Sequence, residues 1–113
     1  MRSEKLYLTD IVEAADAIER FVAGVEIDEF KQDDMRQSAV IQKILVIGEA
    51  ASHISEQTRS KYPEVEWPKI VGMRHILVHG YFGADLDIIW QVSIRRVPEL
   101  RHQIAQIVEQ EFD

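Results

Sequence analysis

The chain contains no cysteine. That excludes a disulfide framework, a thiolate metal site and a thiol nucleophile. No apolar run approaches the roughly 20 residues that a bilayer-spanning helix needs. The amino-terminal residues are charged from Arg2 onward and lack the apolar core of a signal peptide. Sustained alternation of apolar and polar residues, the mark of half-buried strands, is missing too. So are internal repeats, linker-like tracts and low-complexity segments. These absences leave a cytoplasmic, non-membrane helical protein of 113 residues, read as one domain over 1–113. A chain of that length buries a core without staples.

A surplus of basic residues is lacking as well. Lys and Arg number 13 against 20 Asp and Glu, for a net charge of −7. Such a balance argues against a protein that coats nucleic acid generally. The charge is uneven, however. Residues 1–66 hold 8 basic against 14 acidic side chains, and residues 67–113 hold 5 against 6. A local basic site on an acidic body is therefore compatible with the composition.

What is present is helical periodicity. Ser3 can cap a first helix with an apolar stripe of Leu8, Ile11, Val12, Ala15, Ile18 and Val22, stopped by Gly24. Val25 to Lys31 reads as an acidic connector with room for one helical turn. Asp34 with Gln37 reads as a capping box opening a long helix, whose inward face is Val40, Ile41, Ile44, Leu45, Ile47, Ala51 and Ile54. Tyr62 to Trp67 is a loop, and Pro68 fits the first turn of a third helix running to about His79, with Gly80 as its stop. Asp85 caps a last helical region with the stripe Leu86, Trp90, Ser93, Val97, Leu100, Ile104 and Ile107, kinked or split at Pro98. The predicted fold class is all-α, an up-and-down bundle of four main helices.

The segment Arg74-His75-Ile76-Leu77-Val78-His79-Gly80-Tyr81 carries the chemistry. Periodicity sets Arg74 within an apolar face, flanked by Ile70, Val71, Leu77 and Val78 and extended by Met73. A guanidinium stays charged inside a protein, so Arg74 must face an anion. Two anions qualify: a structural carboxylate, with Glu49 in the apolar stretch Ile47–Ala51 the natural one, or a substrate phosphate. Metal-independent RNA cleavage needs a base for the 2′-hydroxyl, an acid for the departing 5′-oxygen and a cation on the phosphate. Histidine suits the first two roles and arginine the third. Arg74 and His79 lie about 140° apart around an ideal helix, so a symmetric dimer would best gather the groups into one cleft.

Met73 to Phe82 resembles the signature of the HEPN superfamily, in the Arg-x4-His-x-Tyr form of HepT-like toxins. Ile47–Ala51, Tyr62–Trp67 and Asp85–Trp90 support the likeness, which spans almost the whole chain. His75 departs from it, since asparagine or aspartate is more usual after the arginine. The resemblance implies an α-helical homodimer, with Arg74 and His79 as catalytic residues in a composite cleft that cuts RNA without metal or other cofactor. It further implies a type VII toxin–antitoxin pair. The antitoxin partner would be an MntA-like minimal nucleotidyltransferase that moves AMP from ATP onto Tyr81.

Supporting roles fall to His75, which would assist or orient, and to Glu49, which would either orient the motif or only neutralise Arg74. Arg95 and Arg96 are candidates for holding RNA phosphates, or else a solvated face. His75 and His79 have a metal-compatible i, i+4 spacing, but only Glu64 and Glu66 stand near the helix start, so no metal site is assigned. His53 and His102 receive no role. Trp67 and Trp90 are expected to pack in the core or an interface. Two rival readings remain: a non-catalytic helical partner of a nucleotidyltransferase, and a nucleotide-binding module using Arg74 on ATP phosphates.

Overall fold

A computed structural model describes the backbone of residues 2–80 and 85–112, and the side chains of 2–75 and 85–112. Ser3 Oγ accepts the amide of Leu6 and opens α1, Glu4–Val22, and Gly24 follows its end at φ +72°. That left-handed backbone is open to glycine at little cost. The connector holds the short helix α2, Ile27–Lys31, whose Phe30 is fully buried and meets Trp90.

The long helix α3 spans Asp34–Ser52, and its cap stands one residue earlier than the sequence pattern predicts. Asp33 accepts the Arg36 amide, while the Gln37 side chain reaches the Phe30 carbonyl instead of closing a capping box. Val40, Ile41, Ile44, Ile47 and Ala51 point inward as expected, with Leu45 half-buried and Ile54 buried just past the helix end. A further short helix, α4 at Glu56–Lys61, was not legible as such. Ser55 caps it, and Glu4 accepts from both the Ser55 amide and the Thr58 hydroxyl.

Helix α5 runs Trp67–Gly80, with Pro68 in its first turn. Asp85 caps α6, Leu86–Gln91, by accepting the amides of Asp87 and Ile88. A π-helical turn, Val92–Arg96, then joins α6 to α7, Val97–Phe112. Proline has no amide and its ring crowds the carbonyl four residues back. The expected break at Pro98 is thus taken up by a widened turn, in which the Val97 amide donates to the Val92 carbonyl. Such single-turn π-bulges are a recognised way to relieve a helix. Ser93 is buried there and donates to the Ile89 carbonyl.

Four rods result: α1, α3, α5 and the α6–α7 run. α1 packs against both α3 and α7, and α3 packs against α5. Among the described residues there is no strand, and no helix is long and apolar enough to cross a membrane. Both tryptophans belong to the core, Trp67 with its indole N–H donated to the Tyr62 carbonyl.

Candidate active site

Arg74, the first residue of the motif, sits where α3 and α5 meet. Gly48 lies at the contact. A Cβ added there would stand 3.3 Å from the Arg74 Cβ and 3.4 Å from the Ile70 carbonyl oxygen. The missing side chain thus lets α5 approach α3 closely enough for neighbouring side chains to meet across the crossing. One residue on, Glu49 receives an N–H of Arg74, Nη1 to Oε2, at 2.7 Å. This is a charge-assisted hydrogen bond of ordinary length.

Arg74 is not enclosed as the apolar periodicity predicts. Its side chain keeps 34% exposure and Glu49 keeps 61%. Ile70 is buried, whereas Val71, Gly72 and Met73 are only half-buried and His75 is exposed. The reason is positional: α5 packs on α3 along one side, so its apolar residues are not all covered. Arg74 therefore needs no counter-ion to escape a low dielectric. Among the described residues, the bond to Glu49 engages one of the five guanidinium donors, on a side chain that stays partly exposed.

His79 lies on the last turn of α5, but its side chain is outside the described residues, and so is Tyr81. Arg95 and Arg96 lie on the π turn and are exposed. Arg96 pairs with Glu66 across 3.6 Å and lines a groove of about 360 Å³ between α5 and α7, floored by Ile70, Met73, Val97 and Leu100. Arg74 does not line that groove; Glu49 of α3 meets it instead. Lys69 beside Glu66 holds that carboxyl below its usual range, with Arg96 adding a smaller pull in the same direction.

One neighbour escaped the sequence reading. His53, the residue that ends α3, places Nε2 3.2 Å from Glu49 Oε1. The i, i+4 spacing of Glu49 and His53 was the available signal. Among the described residues no group of three or more His, Asp or Glu is arranged to hold a metal ion.

Residues 11–107 match the family described as ribonuclease HepT-like. A candidate RNase of Methanocaldococcus jannaschii is 36% identical over 103 residues, covering 91% of this chain and 94% of that protein. A candidate RNase of Caldanaerobacter subterraneus is 32% identical over 111 residues, covering 98% and 99%. A protein of Thermococcus cleftensis named probable ribonuclease HepT is 35% identical over 106 residues, covering 94% and 96%. No solved structure matches the chain. The chain belongs to the HepT-like ribonuclease family.

Proposed function

We propose that this protein is a toxin-type, metal-independent endoribonuclease in which Arg74 holds the scissile phosphate. The observation that carries the reading is the state of Arg74: bonded through one N–H to Glu49, with about a third of its side chain exposed, in a chain of the HepT-like family. Planar guanidinium matches two phosphate oxygens at once, and donors aimed at developing charge are commonly the largest catalytic contribution.

The reaction is a transesterification. A base takes the proton of the 2′-hydroxyl, the 2′-oxygen attacks phosphorus, and the bond from phosphorus to the 5′-oxygen breaks. An acid gives that oxygen a proton, leaving a 2′,3′-cyclic phosphate and a 5′-hydroxyl. His79 moves protons, His75 assists, and Glu49 sets the orientation of Arg74. One helix supplies one well-placed histidine for two proton transfers, and a homodimer supplies two. Arg95 and Arg96 would hold flanking phosphates.

Control follows from the same site. Transfer of AMP from ATP to the Tyr81 hydroxyl, with release of pyrophosphate, places a phosphate and a bulky nucleoside two residues from His79. The added negative charge repels RNA. The enzyme for that step would be an MntA-like minimal nucleotidyltransferase antitoxin of a type VII pair. The Arg74–Glu49 bond equally favours a second reading, in which Arg74 is structural and the chain is a non-catalytic partner of the nucleotidyltransferase.

RNA cleavage in EDTA by wild type, Arg74→Ala and His79→Ala separates the two. All three proteins are first checked for folding, dimerisation and an intact mass free of AMP on Tyr81. Cleavage by wild type with 2′,3′-cyclic ends, reduced about 100-fold or more in both variants, supports the nuclease. Growth inhibition that survives His79→Ala overturns it.

A further inference from the structure

Glu49 serves two partners, one oxygen each. Oε2 accepts from Arg74 at 2.7 Å, and Oε1 faces His53 Nε2 at 3.2 Å. The His53 ring is held in place from the α1 side. It lies parallel to the Tyr7 ring, 9° between planes and 4.5 Å between centroids. The Arg2 guanidinium lies over Tyr7, 4.9 Å from its centroid, and pairs with Asp10 at 2.6 Å. Among the described residues, the charged and titratable groups that meet His53 or its partners are Glu49 on its own helix, Tyr7 backed by the Arg2–Asp10 pair, and Arg74 of α5 across the carboxylate.

A single carboxylate has one negative charge to divide. A neutral imidazole that donates one N–H leaves nearly all of it to Arg74. An imidazolium brings a full positive charge to the other oxygen and draws Glu49 toward itself. Arg74 then loses part of its counter-ion, and its charge is free to act on a phosphate. We infer that His53 is a positioning residue for the RNA-binding arginine: it competes with Arg74 for Glu49 and thereby sets how firmly Arg74 is withheld from phosphate. This deepens the nuclease reading, on which it rests for the phosphate. Histidine changes charge near neutral pH, so binding through Arg74 tightens as pH falls through that range. Linkage makes the effect reciprocal, because a phosphate on Arg74 must favour the protonated form of His53.

Two measurements test it together. The first is affinity for a 2′-O-methyl RNA oligonucleotide, which cannot be cleaved, at pH 8 and pH 6 for wild type and His53→Gln. Glutamine keeps an N–H donor for Glu49 but cannot take a charge. Other histidines titrate in both proteins, so the difference between them is what is read. Wild type gains about threefold to fivefold more affinity on acidification than His53→Gln does, the low end of coupling between sites because these groups are exposed. The second is the NMR titration of the His53 ring in wild type and Arg74→Ala, where the midpoint rises once the competitor is gone. Equal pH dependence in wild type and His53→Gln overturns the proposal, as does an unmoved midpoint. If no protein binds RNA while the midpoint still rises, the competition stands and the nuclease reading fails.

Discussion

Gly48 faces Arg74 across the meeting of α3 and α5: a methyl group on Gly48 would lie 3.3 Å from the Arg74 Cβ. The close approach of α3 and α5 is what places the Glu49 carboxylate within reach of the arginine. Two effects compete in Gly48→Ala. Alanine gains up to about 1 kcal/mol of helix propensity. Against that, α5 must retreat by a few tenths of an ångström, since the nearest atoms include the Ile70 carbonyl and not only flexible side-chain ends. Chemical denaturation is expected to give a stability within about 1 kcal/mol of wild type, while RNA cleavage falls roughly tenfold from the misplaced arginine. Gly48→Val overpacks the crossing and costs about 1–3 kcal/mol. A fully active Gly48→Val would show that the spacing of α3 and α5 does not matter to the site.

Arg74→Lys keeps the charge and discards the planar fork. An ammonium can still meet Glu49 but cannot hold two phosphate oxygens side by side. Steady-state cleavage is expected to drop about 10- to 100-fold in kcat, with little change in unfolding midpoint, because an exposed pair of this kind is worth about 0.2–1 kcal/mol. Glu49→Gln does the converse, keeping the acceptor oxygen and removing the charge. RNA should bind on the order of threefold to fivefold more tightly as the counter-ion is lost. An unchanged kcat in Arg74→Lys would mean that the arginine contributes charge alone.

Much of the fold was legible because apolar spacing of three and four residues marks a helix face without further help. The stripe through Leu8, Ile11, Ala15 and Ile18 and the one through Val97, Leu100, Ile104 and Ile107 are buried as read. Short helices were less visible. α4, Glu-Gln-Thr-Arg-Ser-Lys, has no apolar stripe, and its first turn is held by Ser55 and by Glu4, which lies 51 residues before Ser55 in sequence. Arg74 shows the opposite error. Its neighbours in sequence are apolar, and periodicity therefore enclosed it, but enclosure depends on how many helices cover α5. The Glu49–Arg74 pair could be named because both are polar residues in apolar runs. His53 was passed over although Glu49 stands one turn away, because its stacking on Tyr7 exists only once α1 lies beside α3.

Phe30 tests whether the connector between α1 and α3 is part of the core. The ring is fully buried and stands 5.2 Å from the Trp90 ring, tilted by 45°. It therefore fastens α2 to α6 at the end of the bundle. Phe30→Ala removes a large buried aromatic and should cost about 3–5 kcal/mol by urea denaturation. Tryptophan fluorescence should shift as Trp90 gains water. A loss below about 1 kcal/mol would place α2 outside the cooperative unit.

Stability should also fall in acid, and the sign follows from three carboxylates. Asp33 is held below the usual carboxylate range chiefly by the Arg36 amide it accepts, Glu66 by its hydrogen bond from Lys69, and Glu111 by its hydrogen bond from Lys61. Each is more acidic in the folded chain than in the unfolded one, so the unfolded chain takes up protons first as pH falls. The stabilisation is complete above the ordinary range, near about pH 4, and is lost as pH drops through the lowered folded values. Urea midpoints should be level from neutral pH down to about pH 5 and then decline. Glu66 is exposed and Asp33 and Glu111 are half-buried, and the three differ in partner. In 1 M NaCl the Lys61–Glu111 and Lys69–Glu66 contributions should shrink by screening, while the Asp33 cap, held mainly by a backbone amide, keeps more of its effect. Asp33→Asn, which can still cap but cannot titrate, should flatten the part of the decline that survives salt. A decline unaltered by both salt and Asp33→Asn would assign acid sensitivity to other groups.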